Sequence, residues 1–300
     1  MLQIEKITIE GPDLSGKTTL YNGIHKKTNY RWNIQDRSMM SMLAHAIFYD
    51  RGADITKYRR LLEKDLKCLN NVIIVLLPSK ELLSHRFNLR GDDIQNLKGV
   101  LKLRDIFEEI TSYFSTNANV QIIRSEVDDS KLNMLIASLL RYEGSTLNQI
   151  SNHVKNCVVK LGEIIGKNFE LVFFGNEFKT AYCHESLNYD PELAYYNKIR
   201  SKLTQTIKNE LSGKNDYNRI EKEDSRRFIY TDDSCISHIH CNYRNDTLYI
   251  NAVLRSSNVG KVLKYDLNFL VSIADVFCNL IDISPRITLL NVQLNSAHII

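Results

Sequence analysis

Eight residues near the start, Gly11-Pro-Asp-Leu-Ser-Gly16-Lys17-Thr18, restrict what this chain can fold into more than any other stretch. They fit the pattern G-x-x-x-x-G-K-[ST] at every fixed position. Glycines at these places let backbone N–H groups converge on phosphate oxygens. A helix that follows the loop directs its positive N-terminal end at the same anion. Lys17 is placed to reach the β- and γ-phosphates of a nucleoside triphosphate, and the Thr18 hydroxyl to hold Mg²⁺. The context fits, because a β-branched run over residues 4–10 precedes the loop and a helical segment over 17–26 follows. The expected ligands are therefore ATP and Mg²⁺, wrapped by Gly11, Ser15, Gly16, Lys17, Thr18 and Thr19.

The pattern that follows extends this start. A second strand is expected over residues 30–35, and helices over 39–48 and 55–69. The continuous apolar run Val72-Ile-Ile-Val-Leu-Leu77, ended by Pro78, suits a strand buried on both faces of a parallel sheet. Helices over 81–90, 94–114 and 131–141 and a short strand over 120–124 complete an alternating order, which predicts a doubly wound α/β domain. The polar stretch from Arg141 to Thr146, with its Gly-Ser break, marks a boundary, giving domains at 1–143 and 147–300. The second domain reads as α+β. Helices are expected over 147–165, 194–211 and 265–281, and strands over 171–174, 227–230, 237–242, 247–254 and 287–294.

Composition narrows the class. A 43% hydrophobic content with four prolines supports packed cores and argues against disorder. The net charge of +4 comes without a concentrated basic stripe, so a nucleic-acid partner is not expected. No apolar stretch approaches the roughly 20 residues of a membrane span, and the N-terminus reads as a strand rather than a signal peptide. Six scattered cysteines (Cys68, Cys157, Cys183, Cys235, Cys241, Cys278) form no CxxC pair, which argues against zinc and for reduced thiols in a cytoplasm.

Several charged residues accompany the phosphate loop. Arg37, after Asp36 at the end of the second strand, is either a bidentate clamp for an acceptor phosphate or a surface arginine. Arg86 and Arg90 lie one helical turn apart before Gly91-Asp92-Asp93. They are either a mobile pair closing over the transferring phosphoryl group or a solvated helix face. Asp13, inside the loop, can orient Mg²⁺-bound water or the acceptor.

With these residues in view, the stretch from Ile9 to Thr19 resembles the opening of thymidylate kinases and their deoxynucleotide kinase relatives. Asp36-Arg37 resembles their DR motif, and Arg86, Arg90 and Asp93 their lid. The resemblance covers roughly residues 1–142. It implies that Arg37 holds a nucleoside monophosphate while Lys17, Asp13, Arg86 and Arg90 serve phosphoryl transfer. Leu14 stands where some relatives carry an arginine, so the lid arginines would have to supply that charge.

Three clusters stand out in the second half: Asp224-Ser225-Arg226-Arg227, Cys235 in a polar turn, and Arg255-Ser256-Ser257-Asn258. Arginine beside serine is a natural phosphate ligand, and a thiol near arginines is a nucleophile candidate; solvated arginines and a buried cysteine are the alternatives. Together they resemble the thymidylate synthase family, including its pyrimidine hydroxymethylase branch. That family places an arginine twenty residues after its nucleophilic cysteine, as Arg255 lies after Cys235, and a Ser-Arg-Arg motif upstream, as at 225–227. Asn295-Ser-Ala-His298 resembles its sugar-contacting segment. The resemblance implies that Cys235 adds to C6 of a pyrimidine, with methylenetetrahydrofolate as the one-carbon donor. It implies that Arg226, Arg227, Arg255 and Ser256 bind the 5′-phosphate, with Arg226 and Arg227 crossing a homodimer interface, and that His298 contacts the sugar. Asp266 falls where the family reads the base; a carboxylate there accepts from the amino group of cytosine and favours dCMP over dUMP. The turn departs from the family in reading Ser234-Cys235-Ile236, without Pro or His beside the thiol, so a domain that binds a pyrimidine monophosphate without modifying it is expected ahead of a catalytic one.

The expected fold class is thus an α/β, doubly wound parallel-sheet P-loop kinase domain followed by an α+β thymidylate synthase-like domain. The expected function is phosphorylation of a (deoxy)nucleoside monophosphate joined to binding or C5 modification of a pyrimidine monophosphate, a pairing suited to modified DNA precursors as in some bacteriophages. The alternatives are an ATPase switch coupled to a partner- or DNA-binding module, and a kinase of modified bases in DNA.

Overall fold

The computed structural model describes residues 2–92, 94–115, 117, 119–161, 164–175, 177–181, 190–212 and 226–299. Among the motif residues, Asp93, Asp224 and Ser225 lie outside these, as do Cys183 and the side chains of Cys157, Arg226 and Arg227. The chain divides into two compact units, Ile4–Glu143 and a second made of Leu2, Gln3 and the described residues from Gly144 onward.

In the first unit, β1 (Lys6–Glu10) leads through the phosphate loop into α1 (Lys17–Thr28), β2 (Ile34–Asp36), α2 (Met39–Phe48) and α3 (Gly52–Lys67). Then follow β3 (Asn71–Leu76), α4 (Lys80–Arg90), α5 (Leu97–Phe114), β4 (Val120–Ile123) and α6 (Asp129–Glu143). All four strands are parallel, in the order β2-β1-β3-β4, which places the end of β1 at the point where the strand order reverses. β3 is apolar and buried on both faces from Val72 to Leu76, whereas β1 buries Ile7 and Ile9 on one face and Thr8 and Glu10 on the other. A core of Leu43, Leu62, Leu66, Val75, Leu103, Phe107 and Ile110 joins α2, α3 and α5 to β3.

Two boundaries move from their expected places for local reasons. Asn29 and Tyr30 have positive φ (49° and 57°) and end α1, with Tyr30 N–H donating to His25 O and its ring stacked on His25, so β2 starts only at Ile34. The Asp92 carboxylate accepts from the N–H groups of Ile94 and Gln95, and Asn96 caps α5 by accepting from Gly99 N, so that helix starts at Leu97 rather than 94.

The second unit contains α7 (Leu147–Leu161), β5 (Ile164–Phe174), α8 (Glu177–Ala181), α9 (Asp190–Ser212), β6 (Arg226–Thr231), β7 (Ile236–Arg244), β8 (Thr247–Leu254), β9 (Ser257–Asn258), α10 (Leu263–Ile281) and β10 (Ile287–His298). Its six-stranded sheet runs β5-β10-β8-β7-β6, with β9 also on β10. β10 pairs in parallel with β8 and β9, because α10 carries the chain across between them; the remaining pairs are antiparallel. β8 alternates half-buried and buried residues along its length, and α10 is buried along most of its length, from Leu263 to Ile281. The strand expected over 171–174 begins at Ile164, where the β-branched pair Ile164-Ile165 extends the ladder with β10 and shortens the preceding helix. Leu2 belongs to this unit: it is fully buried and forms an antiparallel bridge with Leu171. Among the described residues no helix is long and apolar enough to cross a membrane.

Candidate active sites

In the first unit the loop between β1 and α1 is shaped by two glycines. Gly11 has φ 138° and Gly16 has φ 99°, both in the region that favours glycine. At Gly11 space forbids a side chain as well: a Cβ there would lie 2.4 Å from the Leu76 carbonyl oxygen and 3.0 Å from Ser15 Oγ. We expect Gly11→Ala to destabilise this unit by about 3 kcal/mol or more, through backbone strain and overpacking combined. Urea unfolding followed by circular dichroism measures this, and a loss under about 1 kcal/mol would show that the loop relaxes around the methyl group.

Lys17 is buried, and its ammonium donates to the carbonyl oxygens of Gly11 and Pro12, each at 2.9 Å. Burial pushes its pKa down, and the nearby Asp13 carboxylate opposes this. Asp13 Oδ1 lies 4.0 Å from Lys17 Nζ and 3.5 Å from Arg37 Nη2, so one carboxylate stands between the two cations. Both contacts are long, and the Arg37 side chain is half exposed, so Arg37 can exchange Asp13 for another anion at little cost. Arg86 is tied to the loop itself: Nη1 donates to Leu14 O at 2.9 Å and Nη2 to Glu126 Oε1 at 2.6 Å. Arg37, Arg86 and Arg90 line one cleft of about 720 Å³ with residues Asp13 to Thr19, Asp36 and the segment from Glu126 to Asp129.

Two features fit this cleft to the triphosphate end of ATP. The buried Ser15 hydroxyl has no hydrogen-bond partner among the described residues, and no side chain caps the N-terminus of α1. Mg²⁺ is fitted by the donor set, since the exposed Thr18 hydroxyl and the Asp13 and Asp36 carboxyl groups share the cleft and are hard oxygen ligands.

Two residues in this neighbourhood were not anticipated from the sequence. Glu10 at the end of β1 is fully buried and bonded to Ser38 and Ser41; an acid at the last strand position, directly before the loop, was its sequence signal. His45 on α2 has its pKa pushed down by burial, with Asp13 opposing and Arg37 reinforcing, and its ring stacks on Tyr49.

In the second unit the sheet gathers another set of side chains at one end. Cys235 is exposed in the turn before β7. Its carbonyl accepts from Arg255 N–H at 2.7 Å, because Ile236 and Leu254 are paired residues of β7 and β8. Ser256 Oγ lies 3.4 Å from His298 Nδ1, and His298 pairs with Asn258 of β9. Cys235, Arg255, Ser256 and His298 are thus neighbours along one sheet edge. Cys241 and Cys278, the other cysteines of this unit whose side chains are described, contrast with Cys235: burial pushes Cys241 up to about 12 and Cys278 up to about 11, which keeps both as inert thiols.

The turn bearing Cys235 is held from α9. Tyr195 Oη donates to Ser234 Oγ at 3.1 Å and accepts from Ile236 N at 2.7 Å, bracketing the thiol. Asp232 accepts from Lys202 Nζ, Tyr230 Oη and Ser234 N–H. Asp266 is buried, accepting from Tyr196 Oη and from Ser257 Oγ, each at 2.9 Å, so both its oxygens already carry internal bonds. Arg226 and Arg227 start β6 opposite Tyr243 and Asn242, whereas the far end of that strand, Thr231, adjoins the Cys235 turn. Five residues of strand, about 17 Å, separate the backbone of Arg226 from that end within one chain.

No protein-family model and no curated protein matches the sequence. Solved structures do. The deoxyadenosine kinase of M. mycoides with bound dCTP is similar at 16% identity and a TM-score of 0.36, over 45% of this chain and 98% of that one. The YorR protein of Bacillus subtilis, in complex with phosphorylated GDP, is similar at 17% identity and a TM-score of 0.38, over 47% of this chain and 98% of that one. The thymidylate synthase of T4 phage is similar at 13% identity and a TM-score of 0.33, over 51% of this chain and 76% of that one.

Proposed function

We propose that this chain is a nucleotide-metabolism protein of two domains, residues 1–143 and 147–300. The first transfers the γ-phosphoryl group of ATP to a (deoxy)nucleoside monophosphate. The second binds a pyrimidine monophosphate, dCMP in preference to dUMP. The observation that carries the first part is the pairing of Lys17 and Arg37 on either side of Asp13 in one cleft with Arg86 and Arg90. Phosphoryl transfer asks mainly for positioning and charge neutralisation. In this reading the amides from Gly11 to Thr18, with the Ser15 hydroxyl, hold the triphosphate. Lys17 leaves its loop carbonyls for the β- and γ-phosphate oxygens, and Arg37 holds the acceptor phosphate. Arg86 and Arg90 sit over the oxygens where charge develops, and Asp13 keeps the two cations apart until both anions are bound. Mg²⁺, held through Thr18, would supply further neutralisation.

For the second domain the support is the gathering of Cys235, Arg255, Ser256 and His298 at one sheet edge. Arg255 and Ser256 bind the 5′-phosphate there, His298 the sugar, and the exposed thiol faces C6 of the ring. Asp266 lies one shell inward, behind Ser257, with both oxygens already bonded, so the preference for dCMP rests on the family resemblance and not on a direct contact from this carboxylate. Arg226 and Arg227, at the other end of β6, reach such a site from a second copy of the chain, which favours a homodimer. Methylenetetrahydrofolate is the one-carbon donor that the family resemblance implies. A cytoplasmic setting, suited to free thiols, belongs to the same reading.

ADP release measured with a panel of nucleoside monophosphates, and then with duplex DNA, tests the kinase. Release that depends on a monophosphate supports it. Release without any acceptor points to an ATPase switch instead, and release only with modified DNA to a polynucleotide acceptor.

A further inference from the structure

Arg37 occupies a backbone position that its own chemistry does not favour. Its φ of 72° is left-handed, a conformation that costs a non-glycine residue about 1 kcal/mol or more and persists only where neighbours over-determine it. The neighbours come from β1. Arg37 N–H donates to Ile9 O at 3.3 Å. The next residue, Ser38, is held by Glu10: Oε1 accepts from Ser38 N–H and from Ser38 Oγ, both at 2.5 Å. Oε1 also accepts from Ser41 N–H at 3.4 Å, and Oε2 from Ser41 Oγ. Ser38 Oγ in turn accepts from Met40 N–H, so the hydroxyl that binds Glu10 also caps α2.

Burial alone pushes the Glu10 carboxyl group up from the usual carboxylate range, and the two serines oppose it through side-chain and backbone hydrogen bonds. The first turn of α2 adds the favourable end of a helix dipole. A packing role alone could be met by an apolar residue at this buried end of β1. A fully buried acid bonded to both serines of one helical turn instead ties that turn to the strand that also leads into the phosphate loop.

We propose that Glu10 is the positioning residue for Arg37: by gripping Ser38 and Ser41 it fixes where the Arg37 guanidinium meets the acceptor phosphate, relative to the donor phosphates on the adjoining loop. This rests on the reading of Arg37 as the acceptor clamp. Donor and acceptor subsites are then set from one strand end, Glu10 on the acceptor side and Gly11 to Lys17 on the donor side. That is the register an in-line transfer needs.

The test uses the full chain and the monophosphate that gives the greatest ADP release. In Glu10→Gln the acceptor KM rises about tenfold or more, the scale of one charge-assisted contact, while the ATP KM stays within about twofold. Ser41→Ala, which leaves Ser38 attached, shows a smaller rise in the same direction, and it stands in if Glu10→Gln does not fold. Parallel rises in both KM values, or an unchanged acceptor KM in a folded variant, overturn the proposal. Hydrogen exchange at the Ser38 amide supplies a readout without turnover: it is slow in the wild type, at least tenfold faster in Glu10→Gln, and faster by a smaller factor in Ser41→Ala if the grip exists. Wild-type protein that shows this exchange pattern but no acceptor-dependent ADP release refutes the kinase reading and leaves the grip intact. Unchanged exchange refutes the grip whatever the activity.

Discussion

Replacing Lys17 with methionine is expected to lower acceptor-dependent ADP release by about 10³-fold, on the scale of removing a preorganised charge from a phosphoryl-transfer site. Methionine is the informative substitution because Lys17 is buried and its stem packs in the loop. A thioether keeps most of that volume, whereas alanine would add a cavity to the loss of charge. Folding should suffer less than catalysis. The Gly11 and Pro12 carbonyl oxygens lose their donor, costing about 1–3 kcal/mol, but the ammonium that burial disfavours is removed with it. A folded Lys17→Met protein with acceptor-dependent turnover within about tenfold of wild type would show that Lys17 is a structural cross-brace of the loop and not the donor-phosphate ligand.

For the second unit the expected result is release of tritium from C5 of dCMP, and more weakly of dUMP, by the wild type. Cys235→Ala should fall to background, a loss of about 10⁴-fold or more as for other covalent nucleophiles. The chemistry needs no one-carbon donor. The thiolate of Cys235 adds to C6, the electron pair of the 5,6 double bond moves toward C5 and onward to N3 in cytosine or to the C4 oxygen in uracil, and C5 takes a proton from water. Loss of the tritium as a proton and departure of the thiolate restore the ring. Cys235 is exposed, so the substitution should change stability by no more than about 0.5 kcal/mol, and the activity loss can be read directly. Label release that persists in Cys235→Ala would assign the exchange to another group. No release by the wild type from either nucleotide would leave the domain as a pyrimidine monophosphate binder, which equilibrium dialysis with dCMP and Arg255→Ala would then measure.

Much of the first unit was legible in the chain. The run from Val72 to Leu77 predicted a strand buried on both faces, and β3 is one, because six consecutive apolar residues satisfy a parallel sheet covered by helices. The helix over 39–48 matched α2, whose start is marked locally by the cap at Ser38. The misplaced boundaries fell where side chains compete with periodicity for backbone groups: the Asn29-Tyr30 turn, Asp92 ahead of α5, and the β-branched pair that begins β5. In the second unit the twenty-residue spacing from Cys235 to Arg255 has a plain structural basis. The two flank a β7–β8 hairpin whose strands start and end at the same sheet edge, so Arg255 N–H meets Cys235 O. Nothing along the chain pointed to Tyr195 bracketing the thiol from a helix 40 residues upstream of it.

What the sequence alone determined is the phosphate loop and the alternation that builds a sheet around it, because glycine conformations, the lysine in the first helical turn and strand burial are properties of neighbouring residues. What only the tertiary structure decided is pairing across distance. Glu10 meets Ser41 over 31 positions, Arg86 meets Leu14 over 72, and Asp266 closes on Tyr196 over 70. The placement of Arg226 and Arg227 at the far end of β6 from Cys235 belongs with these, since it follows from strand register alone. Such contacts are set by which faces the packed strands and helices turn toward one another, and a polar side chain carries no mark in the sequence of the partner it will meet.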